Sequence, residues 1–204
     1  MKHYPSIKNV SSDNKSFGLL YTFEKPDGSN LRFEWCKKNG WLKFGTRNRL
    51  FDKSDPVFGD AVEIFMDLFS KELETIFKDH KYEKAIAFGE FYGEKSFAGE
   101  HDENDTKTIS LFDVAPYKQG ILGPEKFLEL FGHLNITPYL GLHEWNADFL
   151  LSVRNGEFKC QSFEGVIGKS GDRHNLFMAK AKTQKWIDAV RKKYGQNADR
   201  IINS

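Results

Sequence analysis

Two turn signals divide the first fifty residues into three short aromatic runs, and they confine the opening of the chain to antiparallel β-structure. Pro26-Asp27-Gly28 separates residues 18–23 from 30–35, and Lys38-Asn39-Gly40 separates these from Trp41-Leu42-Lys43-Phe44. Proline presets a turn dihedral, aspartate bonds its own backbone, and glycine supplies positive φ. Asn-Gly between alternating aromatics specifies a tight hairpin, because both central residues tolerate positive φ. The expected opening is therefore an antiparallel meander. Further along, Val62, Phe65, Met66, Phe69, Leu73, Ile76 and Phe77 recur every three or four positions and predict a helix over 59–78. Residues 85–92, 108–114, 137–142, 161–168 and 176–181 read as strands, with a polar loop over 93–107. Pro124 opens a helix through 131, where its missing N–H costs little, and a basic helix follows over 183–193. The expected fold class is α+β, antiparallel β-sheets flanked by a few helices, in one domain over 1–204.

With 204 residues, 39% of them hydrophobic, the chain can bury a core without staples. Two cysteines, Cys36 and Cys160, are too few for a disulfide framework or a cysteine zinc site. Six histidines show no paired ligand spacing, and Asp102-Glu103-Asn104-Asp105 lacks the glycine and terminal glutamate of a calcium loop. The N-terminus has no apolar leader and no stretch is long enough to span a membrane, so a cytoplasmic globular protein is expected. The net charge of +1 is unevenly spread: residues 1–50 carry +6, 51–150 carry −11 and 151–204 carry +6. Either these blocks are solvated faces, or the two basic ends meet as a cleft for polyphosphate or nucleic acid.

Four small constellations carry chemistry. In Glu24-Lys25-Pro26-Asp27-Gly28-Ser29-Asn30 a lysine leaves a strand into a tight turn; taken alone it is also an ordinary surface turn. In Phe88-Gly89-Glu90-Phe91-Tyr92-Gly93, Glu90 interrupts an aromatic strand, where an unpaired buried carboxylate is costly. It either points to solvent or is kept for hydrogen bonding or metal work. Phe163-Glu164-Gly165-Val166-Ile167-Gly168-Lys169 raises the same question for Glu164. In Ala179-Lys180-Ala181-Lys182 a strand would put both lysines on one face, where two ammonium groups repel unless an anion sits between them.

Taken in chain order, these segments resemble the motifs of the covalent nucleotidyltransferases, the superfamily of ATP-dependent DNA ligases, RNA ligases and mRNA capping enzymes. EKPDGSN resembles the motif of the nucleotide-accepting lysine, which implies that role for Lys25, with Glu24 and Asn30 beside the nucleotide. Gly45-Thr46-Arg47-Asn48-Arg49 is similar to the following arginine motif and implies for Arg47 a contact with phosphate or with the nucleic-acid 5′ end. FGEFYG implies a ribose contact for Glu90, and Ser110-Leu111-Phe112-Asp113-Val114 implies Phe112 as the stacking partner of adenine. FEGVIGK implies Glu164 as the metal-associated acid with Lys169 its basic companion, and KAK implies Lys180 and Lys182 on the α-phosphate. The form of the lysine motif resembles phage-type RNA ligases most. The resemblance thus implies a nucleotidyltransferase (adenylation) domain using ATP, with Mg2+ or Mn2+, through a lysyl–AMP intermediate. It implies nucleic-acid partners: RNA or nicked-duplex 5′-phosphate and 3′-hydroxyl ends. A minimal DNA ligase and a non-catalytic nucleic-acid-binding module remain alternatives. Neighbouring cations and partial burial are expected to lower the Lys25 pKa and free its lone pair. About twenty residues follow Lys182, so no separate C-terminal nucleic-acid-binding domain is expected, and a partner protein or missing domain stays open.

Overall fold

The computed structural model describes residues 3–13, 16–94, 104–159 and 162–203. Strands β1 (Lys8–Asn9), β2 (Leu19–Lys25), β3 (Ser29–Cys36), β4 (Gly40–Thr46) and β5 (Leu50–Phe51) precede helix α1 (Gly59–Asp79). Then come β6 (Lys84–Tyr92), β7 (Thr108–Pro116), α2 (Pro124–Phe131), β8 (Tyr139–Glu144) and α3 (Ala147–Asn155). Strands β9 (Gly165–Ser170) and β10 (Phe177–Lys182) lead to helices α4 (Gln184–Tyr194) and α5 (Ala198–Ile202). The α+β class is as expected. The strands form two five-stranded sheets, ordered β1-β10-β9-β2-β8 and β5-β4-β3-β6-β7. Every pairing within them is antiparallel except β1 alongside β10.

The second turn signal makes its hairpin: Asn39 N–H donates to Cys36 O at 3.2 Å and Gly40 takes φ +69°. Asn39 keeps a negative φ, so the turn uses glycine alone in the left-handed region. The first signal does something else. Lys25 pairs with Gly165 in one sheet, while Ser29 pairs with Phe91 in the other. Pro26-Asp27-Gly28 is therefore a crossover between sheets, and the expected meander is not formed. Turn chemistry specifies a sharp bend; it does not specify which strand lies alongside afterwards. Gly28 is required by this crossing, since a Cβ there would lie 2.4 Å from Phe91 O. A second crossover follows β7. Thr137 N–H donates to Leu111 O, and Glu24 N–H to the next carbonyl, Pro138 O. The two crossovers hold the sheets apart as the walls of a cleft.

Each sheet has its own outer cover. Helix α1 lays Val62, Phe65, Phe69, Leu73 and Phe77 on the second sheet, with Phe33 and Phe65 stacked at 3.7 Å. Met66, expected in that stripe, is 36% exposed, because it stands one position off the 3.6-residue face. The first sheet packs Leu20, Val166, Ala179 and Ala181 against Trp145, Leu150 and Val153. Helix α3 lies in a stretch to which the sequence reading assigns no element. It is capped by Asn146, which accepts from Phe149 N–H, and it stops at Gly156 with φ +74°.

The strand expected over 161–168 begins only at Gly165, whose φ is +145°. That bend lifts Glu164 out of the ladder and turns it toward the cleft. A Cβ at Gly165 would lie 2.0 Å from Ala181 O, so the position admits glycine alone. Gly165→Ala should therefore cost roughly 2–4 kcal/mol, a fall in Tm of about 5–12 °C measured by thermal unfolding.

Candidate active site

The cleft between the sheets has a volume of about 430 Å³. It gathers side chains that are far apart in sequence: Glu24, Lys25 and Asn30 from the first crossover, and Arg47 from the β4–β5 turn. Glu90 comes from β6, Phe112 from β7, Glu164 from the bend before β9, and Lys180 and Lys182 from β10. Nine of the ten residues singled out from the sequence line it. Lys169 does not. It lies on the same face of β9 as Ile167, which does, but deeper, 3% exposed beneath the rings of Phe23, Phe112 and Phe127. Its ammonium bonds Asp113 Oδ1 at 2.8 Å and Phe112 O at 2.9 Å, so it braces the wall rather than facing the cleft.

Glu164 is the centre of the arrangement. Its Oε2 lies 2.7 Å from Lys25 Nζ and its Oε1 3.1 Å from Lys182 Nζ. One carboxylate thus bridges two lysines, and Lys180 stands on the same face of β10 as Lys182. Backbone contacts hold the carboxylate in place. Thr183 N–H donates to Glu164 O, the Thr183 hydroxyl donates to Phe163 O, and the same hydroxyl caps α4 by accepting from Trp186 N–H. The Trp186 ring packs 4.1 Å from Lys182 Nζ. Ser162 Oγ donates to the carbonyl of Lys25, tying the end of β2 to the bend before Glu164.

The electrostatics divide the lysines. Burial lowers Lys180 to about 7, with Lys182 and Lys25 adding to the effect. Burial also lowers Lys182, with Glu164 opposing. For Lys25, burial again pulls downward, but Glu164 and Glu90 outweigh it and the pKa is raised. This corrects the expectation of a lowered Lys25 pKa: the nearest charges are carboxylates, so without a ligand the amine is held as an ammonium. Glu90 is raised to about 8 by burial, with Lys25 opposing and Glu164 and Asp27 reinforcing. Glu24 is raised by burial.

Arg47, Lys180 and Lys182 together suit a phosphate group, and the Phe112 ring suits a planar base. Among the described residues, no group of three or more His, Cys, Asp or Glu could hold a metal ion. The donor set fits instead a hard divalent cation bound through one carboxylate, Glu164, and the phosphates of a substrate. Several lining residues escape the sequence reading: Tyr4, Ile7, Phe58, Thr137, Trp186 and Ile201. They are isolated apolar or hydroxyl side chains, and no local pattern marks them. Cys160 and, in the polar loop, residues 95–103, with Asp102 and Glu103 among them, fall outside the described residues.

The raised Glu90 pKa makes a stability prediction. Between its ordinary 4.5 and about 8 the folded protein keeps a proton that the unfolded chain has released. Stability contributed by Glu90 therefore declines as pH rises through this window. Glu90→Gln removes the loss and preserves an acceptor for the Gly28 N–H. The variant should match wild type near pH 4 and exceed it by on the order of 2–4 kcal/mol at pH 9, measured by urea unfolding at both pH values.

No family model matches the chain, and no curated protein matches it by sequence. Solved structures do. An archaeal ATP-dependent RNA ligase aligns with a TM-score of 0.67 at 15% identity, over 98% of this chain and 56% of that one. A mutant Naegleria gruberi RNA ligase with AMP and Mn aligns with a TM-score of 0.67 at 16% identity, over 92% of this chain and 57% of the other. The same ligase with PPi gives 0.65 at 17% identity, over 95% and 58%. The chain spans little more than half the length of these neighbours. Its two facing sheets and the cleft between them share the fold of the matched region of these RNA ligases.

Proposed function

We propose that the chain performs the nucleotide-transfer chemistry of an ATP-dependent RNA ligase. Lys25 Nζ attacks the α-phosphorus of ATP, a P–N bond forms, the bond to the β-phosphate oxygen breaks, and pyrophosphate leaves. The observation that carries this reading is the Lys25–Glu164–Lys182 bridge, at 2.7 and 3.1 Å, in a cleft shared with Arg47, Lys180 and Phe112. An ammonium is no nucleophile, so the proton on Lys25 must go first. Once Glu164 is drawn to another partner, burial and the neighbouring lysines pull the amine pKa down and expose the lone pair. Lys180 and Lys182 stabilise charge on the transferring phosphoryl oxygens, the electrostatic contribution that dominates such transfers. Glu90 and Asn30 orient the sugar side, Phe112 stacks on the base, and Glu24 sits at the nucleotide. A bound Mg2+ or Mn2+, held by Glu164 and phosphate oxygens, would neutralise charge on the group being transferred.

In this reading AMP then passes from Lys25 to a 5′-phosphate end, and a 3′-hydroxyl displaces it to seal the strand. The neighbours extend well beyond the region matched here, so end-joining draws on a further domain or a partner protein, whereas lysyl–AMP formation does not. A cytoplasmic location goes with this reading; no helix among the described residues is long and apolar enough to cross a membrane.

Intact mass after incubation with ATP and magnesium tests the proposal. Wild type should gain one AMP and Lys25→Ala none, while Lys182→Ala and Glu164→Ala should slow the gain by roughly 100-fold or more. An unchanged gain in all three variants would overturn the site. ATP binding with no adduct, in protein first stripped with pyrophosphate, would make the chain a binding module that has kept the fold. Equal sealing of nicks ending in deoxyribose and ribose 3′-hydroxyls would favour a DNA ligase.

A further inference from the structure

The N-terminal segment is a wall of the cleft that no motif identifies. Tyr4 and Ile7 line it, and strand β1 runs parallel to β10 with Asn9 in register with Lys180. Val10 N–H donates to Lys180 O at 2.9 Å, and the His3 ring bonds Arg47 O. Residues 3–10 therefore strap the first sheet to the second, touching the backbone of two proposed phosphate-contacting residues on the way.

Tyr4 is the fixed point of this strap. It is 6% exposed, its ring meets Phe112 edge-on at 5.0 Å and 81°, and it meets Phe88 at 5.1 Å and 61°. Its hydroxyl donates to Asp113 Oδ2, while Lys169 from the opposite sheet takes Asp113 Oδ1 and the carbonyl of Phe112. Burial and Asp113 push the phenol well above its ordinary range, so the hydroxyl remains a donor. Phe112 is thus held by Lys169 through its backbone and through its ring by Phe88, stacked on it at 6.4 Å, and by Tyr4, which meets it edge-on. A ring on an otherwise open cleft wall samples rotamers, and ordering it on binding costs free energy; a fixed ring removes that cost.

We propose that Tyr4 is a positioning residue of the nucleotide site, fixing the plane of the Phe112 ring against which a purine base stacks. This rests on the function proposed above. It differs from a purely structural role in one respect: its effect passes through Phe112 and falls on nucleotide affinity, not on the rate of transfer.

The test is adduct formation measured across ATP concentrations for Tyr4→Leu, Tyr4→Phe, Phe112→Leu and the double variant Tyr4→Leu/Phe112→Leu, with folding checked by circular dichroism. Tyr4→Leu should raise the half-saturating ATP about 3–10-fold, with a much smaller change in limiting rate. Tyr4→Phe retains the ring and should restore half-saturation, while its Tm falls because Asp113 loses a buried donor. In the Phe112→Leu background, Tyr4→Leu should add no further loss. Tyr4→Met, filling similar volume with a flexible chain, replaces the leucine variant should that one not fold. Unchanged half-saturation in a folded Tyr4→Leu or Tyr4→Met variant, or full additivity with Phe112→Leu, overturns the inference while the functional reading stands. Wild type that forms no adduct overturns both.

Discussion

One carboxylate holding two ammonium groups organises this molecule. Glu164 cannot reach Lys25 and Lys182 together unless the end of β2, the bend before β9 and the end of β10 converge. The bend needs Gly165 at φ +145°, the convergence needs the β2–β9–β10 ladder in register, and the backbone of Glu164 needs Thr183 at the start of α4. A buried ion pair is weak evidence for stability, since desolvation offsets its Coulomb energy. A bridge retained at such cost, opening onto a cleft, is better understood as a poised site.

The same bridge sets the order of chemical readiness among the lysines. Lys180, pushed down to about 7, is the amine most often unprotonated at neutral pH, whereas Lys25 is kept charged by Glu164. Basicity alone would name Lys180 as the nucleophile. Access argues the other way: Lys180 is 3% exposed on a strand interior, while the Lys25 side chain is 19% exposed at a strand end beside the crossover. In the proposed function, a Lys25 amine masked by a carboxylate that a ligand draws away would react only when its substrate is present, which would limit side reactions of a free amine.

Much of this was legible in the sequence, and the failures share a physical origin. The Asn39-Gly40 hairpin and helix α1 follow from local backbone chemistry and 3.6-residue spacing, so they were readable within a few residues. Pro26-Asp27-Gly28 was readable as a bend but not as a change of sheet, because the strands beside β2 lie more than a hundred residues away in sequence. Nine of the cleft-lining residues were legible because they stand in short motifs whose order along the chain resembles that of the covalent nucleotidyltransferases. Lys169 was named only through the resemblance of FEGVIGK, and a motif does not say how deep along β9 a lysine sits, which is what separates a wall brace from a ligand contact. Tyr4 left no trace, since a single tyrosine near a terminus has no periodicity to betray its partner on β7.

The most direct test of the account is to locate the transferred nucleotide. Protein incubated with ATP and magnesium would be digested under neutral conditions, where a phosphoramidate survives, and the peptides sequenced by tandem mass spectrometry. The account predicts AMP on the peptide containing Lys25, at the Lys25 amine. AMP on Lys180, the more basic-poor and deeper amine, would contradict it, because the Glu164 bridge would then guard the wrong lysine.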